Sequence, residues 1–172
     1  MYISIILGTG REGRQSEKVS NYMLQEIMKN NIQGEVVDVR DYRIDATDAS
    51  GLSEKAKKYR EIISKSDALI IVSPEYNHGY PGELKMMLDM LYKEYAHKPV
   101  GFCGVSAGGL GGARVVEQLR SVSIEFHMIP IREALYFSVV QNMFDESGNI
   151  KDSAFSSRVK VFLDELVSIK NK

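Results

Sequence analysis

The chain has 172 residues, of which 44% are hydrophobic and 26% charged, so it is long enough for one globular domain spanning residues 1–172. Its 22 Lys and Arg residues nearly balance 23 Asp and Glu residues, and a formal charge of -1 gives no broad basic face for nucleic acid or for an anionic membrane. No apolar run approaches the ~18 residues of a membrane span, and no leader-like segment opens the sequence, so we expect a cytoplasmic protein. The single cysteine, Cys103, excludes an internal disulfide, disfavours a metal site and is expected to be a small buried hydrophobe.

Strand and helix patterns alternate along the chain, as they do in proteins with a parallel sheet between two layers of helices. Strands are predicted where apolar and β-branched residues run together, and helices where apolar residues recur every three or four positions. The pattern predicts a doubly wound α/β fold with a five-stranded parallel sheet of order 2-1-3-4-5. In chain order the predicted elements are strand 3–7, helix 16–31 capped by Ser16, strand 35–39, a polar loop 40–51, helix 53–66 capped by Ser53, strand 68–73, a helix with Pro81 in its first turn, strand 100–105, helix 113–126, strand 134–140 and a last helix opened by Asp152 or Ser153.

The first loop, residues 8–16, carries two arginines and two hydroxyl groups between a strand and a helix. If Ser16 caps that helix, backbone N–H groups and the positive end of the helix dipole lie beside Arg11 and Arg14. This combination predicts a phosphate-binding loop. The alternative is that both arginines are solvated loop charges.

The glycine spacing of this loop, G-x-G-x-x-G ending at Gly13, also matches the dinucleotide fingerprint, with Glu35 or Asp38 at the position of its acidic residue. Two features favour a terminal phosphate instead. The helical pattern starts only after Ser16, and guanidinium and hydroxyl donors suit the three oxygens of a phosphate monoester. We therefore expect Gly13 to form a turn before the helix, while a nicotinamide-dinucleotide Rossmann protein stays an alternative.

Two more loops follow the third and fourth predicted strands. Residues 74–82 place two prolines around a rigid turn, and residues 106–112 contain four glycines, which allow the backbone to approach a ligand closely. In a sheet of this order the ends of strands one, three and four are neighbours at the switch point where ligands bind. The three loops therefore predict one shared site.

The helix that follows Pro81 has more apolar positions than one buried face requires. Its predicted core stripe is Leu84, Met87, Leu88 and Leu91. Met86 and Met90 form a second strip, and two apolar sides on one helix indicate a subunit interface, hence a homodimer or homotetramer. The alternative is that these methionines fill an irregular core.

The three loops resemble those of the NADPH-dependent FMN reductases of flavodoxin-like fold, a family that includes flavin, quinone, azo-dye and chromate reductases. The resemblance covers nearly the whole chain, and its most specific part is P-E-Y-N at 74–77 followed by P-G-x-L-K at 81–85. The chain departs from the family pattern at Met86 and Met87, where Asn-Ala is frequent, and at Met90, where Trp is frequent. These departures lie on the expected interface helix and concern assembly more than flavin binding.

This resemblance implies FMN as the cofactor, NADPH or NADH as the electron donor, and a small acceptor such as a flavin, a quinone, an azo compound or a metal oxyanion. Hydride transfer from nicotinamide to flavin N5 requires no protein nucleophile and no metal, so we assign neither a catalytic residue nor a metal ligand. The cofactor-binding residues implied are Thr9, Arg11, Arg14, Gln15 and Ser16 around the phosphate, Pro74, Glu75, Tyr76, Asn77 and His78 along the isoalloxazine, and Ser106, Ala107, Gly108 and Gly109 at its pyrimidine edge.

Some roles stay open at this point. His78 is either a proton donor beside the flavin or an ordinary surface histidine, and Glu75 is expected to fix the turn or accept a hydrogen bond rather than act as a base. His97 and His127 lie outside the three loops and are predicted to be structural. A flavin-binding electron carrier or regulatory module without direct nicotinamide activity is the alternative function, although a near-zero net charge disfavours a carrier, which would gain from a charged docking face.

Overall fold

A computed structural model describes residues 1–170 of the chain as a parallel sheet between two layers of helices. The strands are β1 (Tyr2–Leu7), β2 (Gln33–Asp38), β3 (Ala68–Pro74), β4 (Pro99–Val105) and β5 (Ile129–Phe137). The helices are α1 (Ser16–Lys29), α2 (Glu54–Lys65), α3 (Gly82–Leu88), α4 (Ala113–Glu125) and α5 (Ser153–Lys170). All neighbouring strands pair in parallel in the order β2-β1-β3-β4-β5, which confirms the predicted topology.

The central strands are buried on both faces because each face is covered by its own layer of helices. Ile5 and Ile70 pack with α1 and α5, whereas their neighbours Ile6 and Ile71 pack with α2, α3 and α4. Successive side chains of a strand point to opposite faces, so a strand covered on both sides needs apolar residues at every position. This explains the uninterrupted apolar runs from which the strands were predicted.

The ends of the two edge strands differ from the prediction. β2 ends at Asp38, and Val39–Tyr42 forms a 3-10 turn inside the segment predicted as polar loop. The turn forms there because the Asp38 carboxylate accepts a hydrogen bond from the Arg40 backbone N–H at 3.0 Å.

The fifth strand lies earlier in the chain than predicted. It covers Ile129–Phe137 rather than 134–140, and its pairing with β4 is shifted between Val100 and Phe102 by a bulge. The strand stops because Val139 has a φ of 46°, which is incompatible with extended backbone, and Val140 opens a 3-10 turn.

Helix ends follow the predicted capping chemistry in two places and depart from it in a third. Ser53 caps α2 by accepting a hydrogen bond from the Ala56 N–H at 3.2 Å, as predicted, and α1 ends with Asn30 at its C-cap, in the Asn30-Asn31 pair whose residue type favours that position. Ser16, in contrast, is the first helical residue of α1, and Gln15 occupies the cap position without a capping side-chain hydrogen bond. The prediction of Ser16 as a cap was wrong because the chain is already helical at Gln15.

The predicted interface helix is shorter than expected and turns one of its methionines inward. The core stripe is buried as predicted, but α3 ends at Leu88, so Met90 lies beyond it and is only 1% exposed. Met90 therefore belongs to the core and not to a second apolar face, while Met86 is half-buried. Cys103 is buried as predicted, and burial raises the pKa of its thiol.

Neither a membrane span nor a metal cluster is found among residues 1–170. None of the helices in this range is both long enough and apolar enough to cross a bilayer. No group of three or more His, Cys, Asp and Glu side chains in the same range is placed to hold a metal ion.

Candidate functional site

Three loops meet at the carboxyl ends of β1, β3 and β4 and surround a cavity of about 400 Å³. Their meeting at one edge of the sheet is the arrangement that the sequence predicts. The side chains and backbone that line the cavity are Arg11, Gly13, Arg14, Gln15, Ser16, Pro74, Glu75, Tyr76, Val105, Ser106, Ala107, Val140 and Gln141.

Most of the predicted site residues line this cavity, but five do not. Thr9 lies fully buried behind it, where its hydroxyl shares a hydrogen bond with the Tyr76 hydroxyl at 3.1 Å. Asn77 and His78 form the turn that follows Tyr76, and the other two, Gly108 and Gly109, lie in the exposed part of the third loop.

Two cavity residues, Val140 and Gln141, were not predicted as site residues from the sequence. They belong to the 3-10 turn after β5 and contact the third loop: the Val140 N–H donates to the Ser106 carbonyl at 3.2 Å, and Gln141 Nε2 donates to the Ala107 carbonyl at 3.4 Å. No sequence motif marks them. A correct end for β5 would have placed them at the same edge of the sheet.

The first loop carries polar groups that have no partner within the described part of the chain. Ser16 is 1% exposed, and its Oγ makes no hydrogen bond. Gln15 Oε1 is also buried without a hydrogen-bond partner. The Arg11 guanidinium, on an exposed residue beside them, also makes no hydrogen bond or ion pair with residues 1–170. A buried polar atom without a partner costs about 1–3 kcal/mol. The Ser16 hydroxyl and the Arg11 guanidinium are donors at a helix N-terminus and so suit an anionic ligand, whereas Gln15 Oε1 is an acceptor that an anion does not satisfy.

The second arginine of the loop is used differently. Arg14 has a side chain only 2% exposed, and its guanidinium donates to both oxygens of the Asp38 carboxylate and to the Thr9 carbonyl. Burial alone would raise the pKa of Asp38, but the hydrogen bond from Arg14 lowers it below its usual value. Arg14 therefore ties the loop to the end of β2 from inside, and Arg11 is the arginine whose guanidinium is available to a ligand.

Three side chains from other elements hold the backbone of the loop from outside. Arg40 Nη2 donates to the Arg11 carbonyl at 2.8 Å, and Arg43 Nη2 donates to the Gly10 carbonyl at 2.9 Å. The Glu83 carboxylate accepts from the Gly10 N–H at 3.0 Å. Burial acts to raise the pKa of Glu83, but its hydrogen bonds, that from Gly10 foremost, together with the charge of Arg43 lower it. We call these three side chains the clamp. A Cβ on Gly10 would lie 2.1 Å from Arg43 Nη2, so the clamp requires glycine at this position.

Gly13 lies in the turn before α1, with a φ of 65°, and a Cβ there would meet no neighbour within 4 Å. In the dinucleotide-binding fold this glycine lies inside the helix and packs against a strand. Its position here, before a helix that begins at Ser16, agrees with the prediction of a separate turn.

The third loop uses its glycines in two ways. Gly111 and Gly112 have φ values of 59° and 82°, and a Cβ on either would come within 2.7 Å of its neighbours, so these two allow tight packing beneath the loop. Gly109 has no atom within 4 Å of such a Cβ. The Ser106 hydroxyl accepts from the Gly108 N–H at 3.0 Å and closes the loop beside the cavity.

A larger cavity, of about 690 Å³, lies between the segment 47–51, the end of α3 and α4. Its apolar wall includes Met90, Tyr92 and Phe126, and it contains none of the predicted site residues. It also has no glycine-rich loop and no helix N-terminus, which makes it a poor match for a phosphate-bearing cofactor.

Comparison with known proteins identifies the family. Residues 1–142 match the family model for NADPH-dependent FMN reductase, which is most of the chain. The chain belongs to the NADPH-dependent FMN reductase family. An FMN-dependent NADPH-azoreductase of Staphylococcus aureus is 28% identical over 177 aligned positions, which cover 97% of this chain and 94% of that protein.

Solved structures show the same fold at lower sequence identity. FerB, a flavoenzyme NAD(P)H:(acceptor) oxidoreductase from Paracoccus denitrificans, superposes with a TM-score of 0.83 at 19% identity over 97% of each chain. A flavodoxin from Streptococcus pneumonia gives a TM-score of 0.60 at 13% identity and covers 98% of this chain and 99% of its own. These likenesses confirm the flavodoxin-like fold.

Membership in this family confirms the predicted resemblance and the prediction of a flavin-dependent oxidoreductase that uses FMN and a reduced nicotinamide. The Rossmann alternative fails on the same finding and on the strand order, because the dinucleotide-binding fold has the order 3-2-1-4-5-6. The glycine spacing at the first loop is therefore a coincidental match to the dinucleotide fingerprint.

Proposed function

We propose that this NADPH-dependent FMN reductase binds FMN in the cavity at the ends of β1, β3 and β4 and passes its electrons to a small planar acceptor such as an azo compound or a quinone. The observation that carries the site is the buried Ser16 hydroxyl, which has no hydrogen-bond partner within residues 1–170 and lies beside the Arg11 guanidinium at the start of α1. A terminal phosphate supplies the acceptors that Ser16 and Arg11 lack.

Within this proposal the residues of the first loop divide the work of holding the phosphate. Arg11 and Ser16 donate to it directly, and the N–H groups of the first turn of α1 face it with the positive end of the helix dipole. Arg14 and Thr9 act from behind, because their polar atoms are already bonded to Asp38 and Tyr76. Of the five residues that the resemblance assigns to the phosphate, two thus contact it directly and two support the loop; the fifth, Gln15, buries an acceptor oxygen that does not suit a phosphate.

The two remaining loops border the space for the flavin ring. Residues 74–76 lie on one side, with Ser106 and Ala107 on another, and the turn at Val140 and Gln141 closes the end. FMN, when bound, accepts a hydride from reduced nicotinamide and delivers its electrons to the acceptor. The protein's part is to bind and orient these molecules, and we assign no proton-transfer group.

The acceptor is proposed from the relatives and from the chemistry of a flavin. The Staphylococcus aureus relative carries the name azoreductase, and a structure of the same fold from Methanothermobacter marburgensis is an NAD(P)H:quinone oxidoreductase. Azo compounds and quinones are both planar, so either can stack on an exposed flavin face. An electron carrier without nicotinamide activity shares the fold, but no contact in the site favours it.

The proposal is tested first by binding and then by reduction. FMN titrated into the purified protein should lose its fluorescence at a ratio of one per chain, and NADPH added under anaerobic conditions should bleach the bound flavin. An azo dye or a quinone should then restore the flavin absorbance in stoichiometric amount. Protein that does not bind FMN would refute the proposed site. Bound FMN that stays oxidised with both NADPH and NADH would refute the reductase activity and leave the electron carrier as the function.

Three properties of the protein that we expect from its sequence stay predictions. These are a single flavin-binding domain over residues 1–172, location in the cytoplasm, and assembly as a homodimer or homotetramer. With Met90 in the core, the case for a subunit interface on α3 rests on Met86 alone. Sedimentation at micromolar concentration measures the assembly directly.

A further inference from the structure

The turn that follows Tyr76 has a backbone that its sequence does not favour. Tyr76 and Gly79 exchange two backbone hydrogen bonds of 2.9 Å, which makes Asn77 and His78 the central residues of a two-residue turn. Both have positive φ, 49° and 71°. Turns of this kind prefer Asn-Gly, so a histidine in the second position is strained. Something outside the turn must hold His78 in place.

The first turns of α4 supply that support. Arg114 Nη1 donates to His78 Nε2 at 2.8 Å, and Gln118 Nε2 donates to the His78 carbonyl at 2.7 Å. The side chain and the backbone of His78 are thus both bonded to one helix face, at positions four residues apart.

The same arginine also holds the residue before the turn. Arg114 Nε donates to Glu75 Oε1 at 2.6 Å, and the Arg114 backbone N–H donates to Glu75 Oε2 at 3.2 Å. Glu75 has a side chain only 5% exposed and caps α4 from another loop, since Gly112 at the cap position has no side chain. One side chain therefore fixes both ends of the segment from Glu75 to His78.

We propose that Arg114 is a positioning residue for flavin reduction, because it holds Glu75 and His78 and so fixes the turn that borders the flavin ring. The inference rests on the proposed function, in which residues 74–76 lie against FMN. Arg114 does not line the cavity itself. Its effect reaches the flavin through the position of the loop, on which the alignment of nicotinamide and flavin depends.

The direct test compares the variant Arg114→Gln with a double variant whose turn sequence no longer requires support from Arg114. In Arg114→Gln with FMN bound, the visible circular dichroism of the flavin should fall by about half and the anaerobic rate of its reduction by NADPH about tenfold. The dissociation constant of FMN should rise less than about fivefold, since the phosphate contacts are intact. In the double variant Arg114→Gln, His78→Gly, both the dichroism and the rate should return to within about twofold of the parent, because Asn-Gly adopts this turn unaided.

The control is Arg120→Gln, on the same helix, where the lost hydrogen bonds go to the carbonyls of Ile131 and Arg132 on β5. It should keep the dichroism and the rate. An unchanged Arg114→Gln overturns the inference, and so does a loss that His78→Gly leaves unrestored, because support of the turn would then not explain the effect. If Arg114→Gln does not fold, Gln118→Ala removes only the bond to the His78 carbonyl and should lower the rate about threefold; no change there overturns the inference.

A measurement without FMN separates this inference from the proposed function. Hydrogen exchange of the Tyr76 and Gly79 amides, which bond across the turn, should accelerate about tenfold in FMN-free Arg114→Gln and not in Arg120→Gln. Acceleration in a protein that binds no FMN would refute the flavin site alone. Unchanged exchange in a protein that binds FMN would refute the role of Arg114 alone.

Discussion

Replacing Ser16 by alanine should change stability and FMN binding in opposite directions. In the ligand-free protein the Ser16 hydroxyl is buried without a partner among residues 1–170, so its removal relieves a cost of about 1–3 kcal/mol, part of which returns as a small void. We expect the free energy of unfolding to rise by about 1 kcal/mol, which corresponds to about 2–4 °C in Tm for a chain of this length.

The same change should weaken FMN binding, because a hydrogen bond to a charged group contributes about 1.5–3 kcal/mol. That loss corresponds to a dissociation constant about 10- to 150-fold higher. Fluorescence quenching of FMN measures the binding, and urea unfolding of the FMN-free protein measures the stability.

Ser20→Ala is the matched control for Ser16→Ala. It lies one helical turn further on, is also buried, and its hydroxyl donates to the Ser16 carbonyl at 3.0 Å. This variant should leave the dissociation constant within about twofold. If Ser16→Ala binds FMN as well as the parent does, the hydroxyl is not a phosphate donor; if it lowers the free energy of unfolding by more than about 1 kcal/mol, the hydroxyl had a partner after all.

Three further predictions concern the first loop and its supports. Arg11→Ala should weaken FMN binding by about 1.5–3 kcal/mol with little effect on unfolding of the FMN-free protein, and titration calorimetry showing unchanged affinity would contradict a phosphate contact. Asp38→Ala should lower the free energy of unfolding by about 2–4 kcal/mol, because it leaves the buried Arg14 guanidinium with only the 3.4 Å ion pair to the exposed Glu17; a loss under 1 kcal/mol in urea would show that the pair with Asp38 is dispensable. The pKa values of Asp38, Glu75 and Glu83 lie below their usual 3.8, 4.5 and 4.5, so the unfolded chain binds more protons than the folded chain near pH 4. The free energy of unfolding should therefore be level above about pH 5.5 and decrease as the pH falls through the folded-state pKa values. A rise on acidification would contradict these shifts.

The order of the sheet could be predicted because burial on both faces leaves an unmistakable pattern in β1, β3 and β4. Each has apolar residues at consecutive positions, and each is followed by a loop with unusual glycine or proline content. Parallel strands end at the same edge, so the meeting of these loops followed from the topology. β5 has one exposed edge and a mixed burial pattern, and its boundaries were accordingly misjudged.

The contacts that hold the site together could not be predicted, because they join residues far apart in sequence. Asp38 was noted as a possible ribose-binding acid, yet its partner is Arg14, 24 positions earlier. Arg114 contacts Glu75, 39 positions away, through a helix whose sequence shows only an ordinary apolar stripe. Which polar residue faces which depends on the packing of whole elements, and local pattern carries no information on it.

The clamp on the first loop has a consequence for how quickly a ligand can be captured. Arg40, Arg43 and Glu83 hold the backbone of Gly10 and Arg11 in an arrangement that needs no ligand to form. A binding loop that already has its bound conformation loses little conformational entropy when the ligand binds. The association rate is then limited by diffusion and orientation rather than by rearrangement of the loop. Differences in affinity among variants of this loop should then appear mainly as differences in how long the cofactor stays.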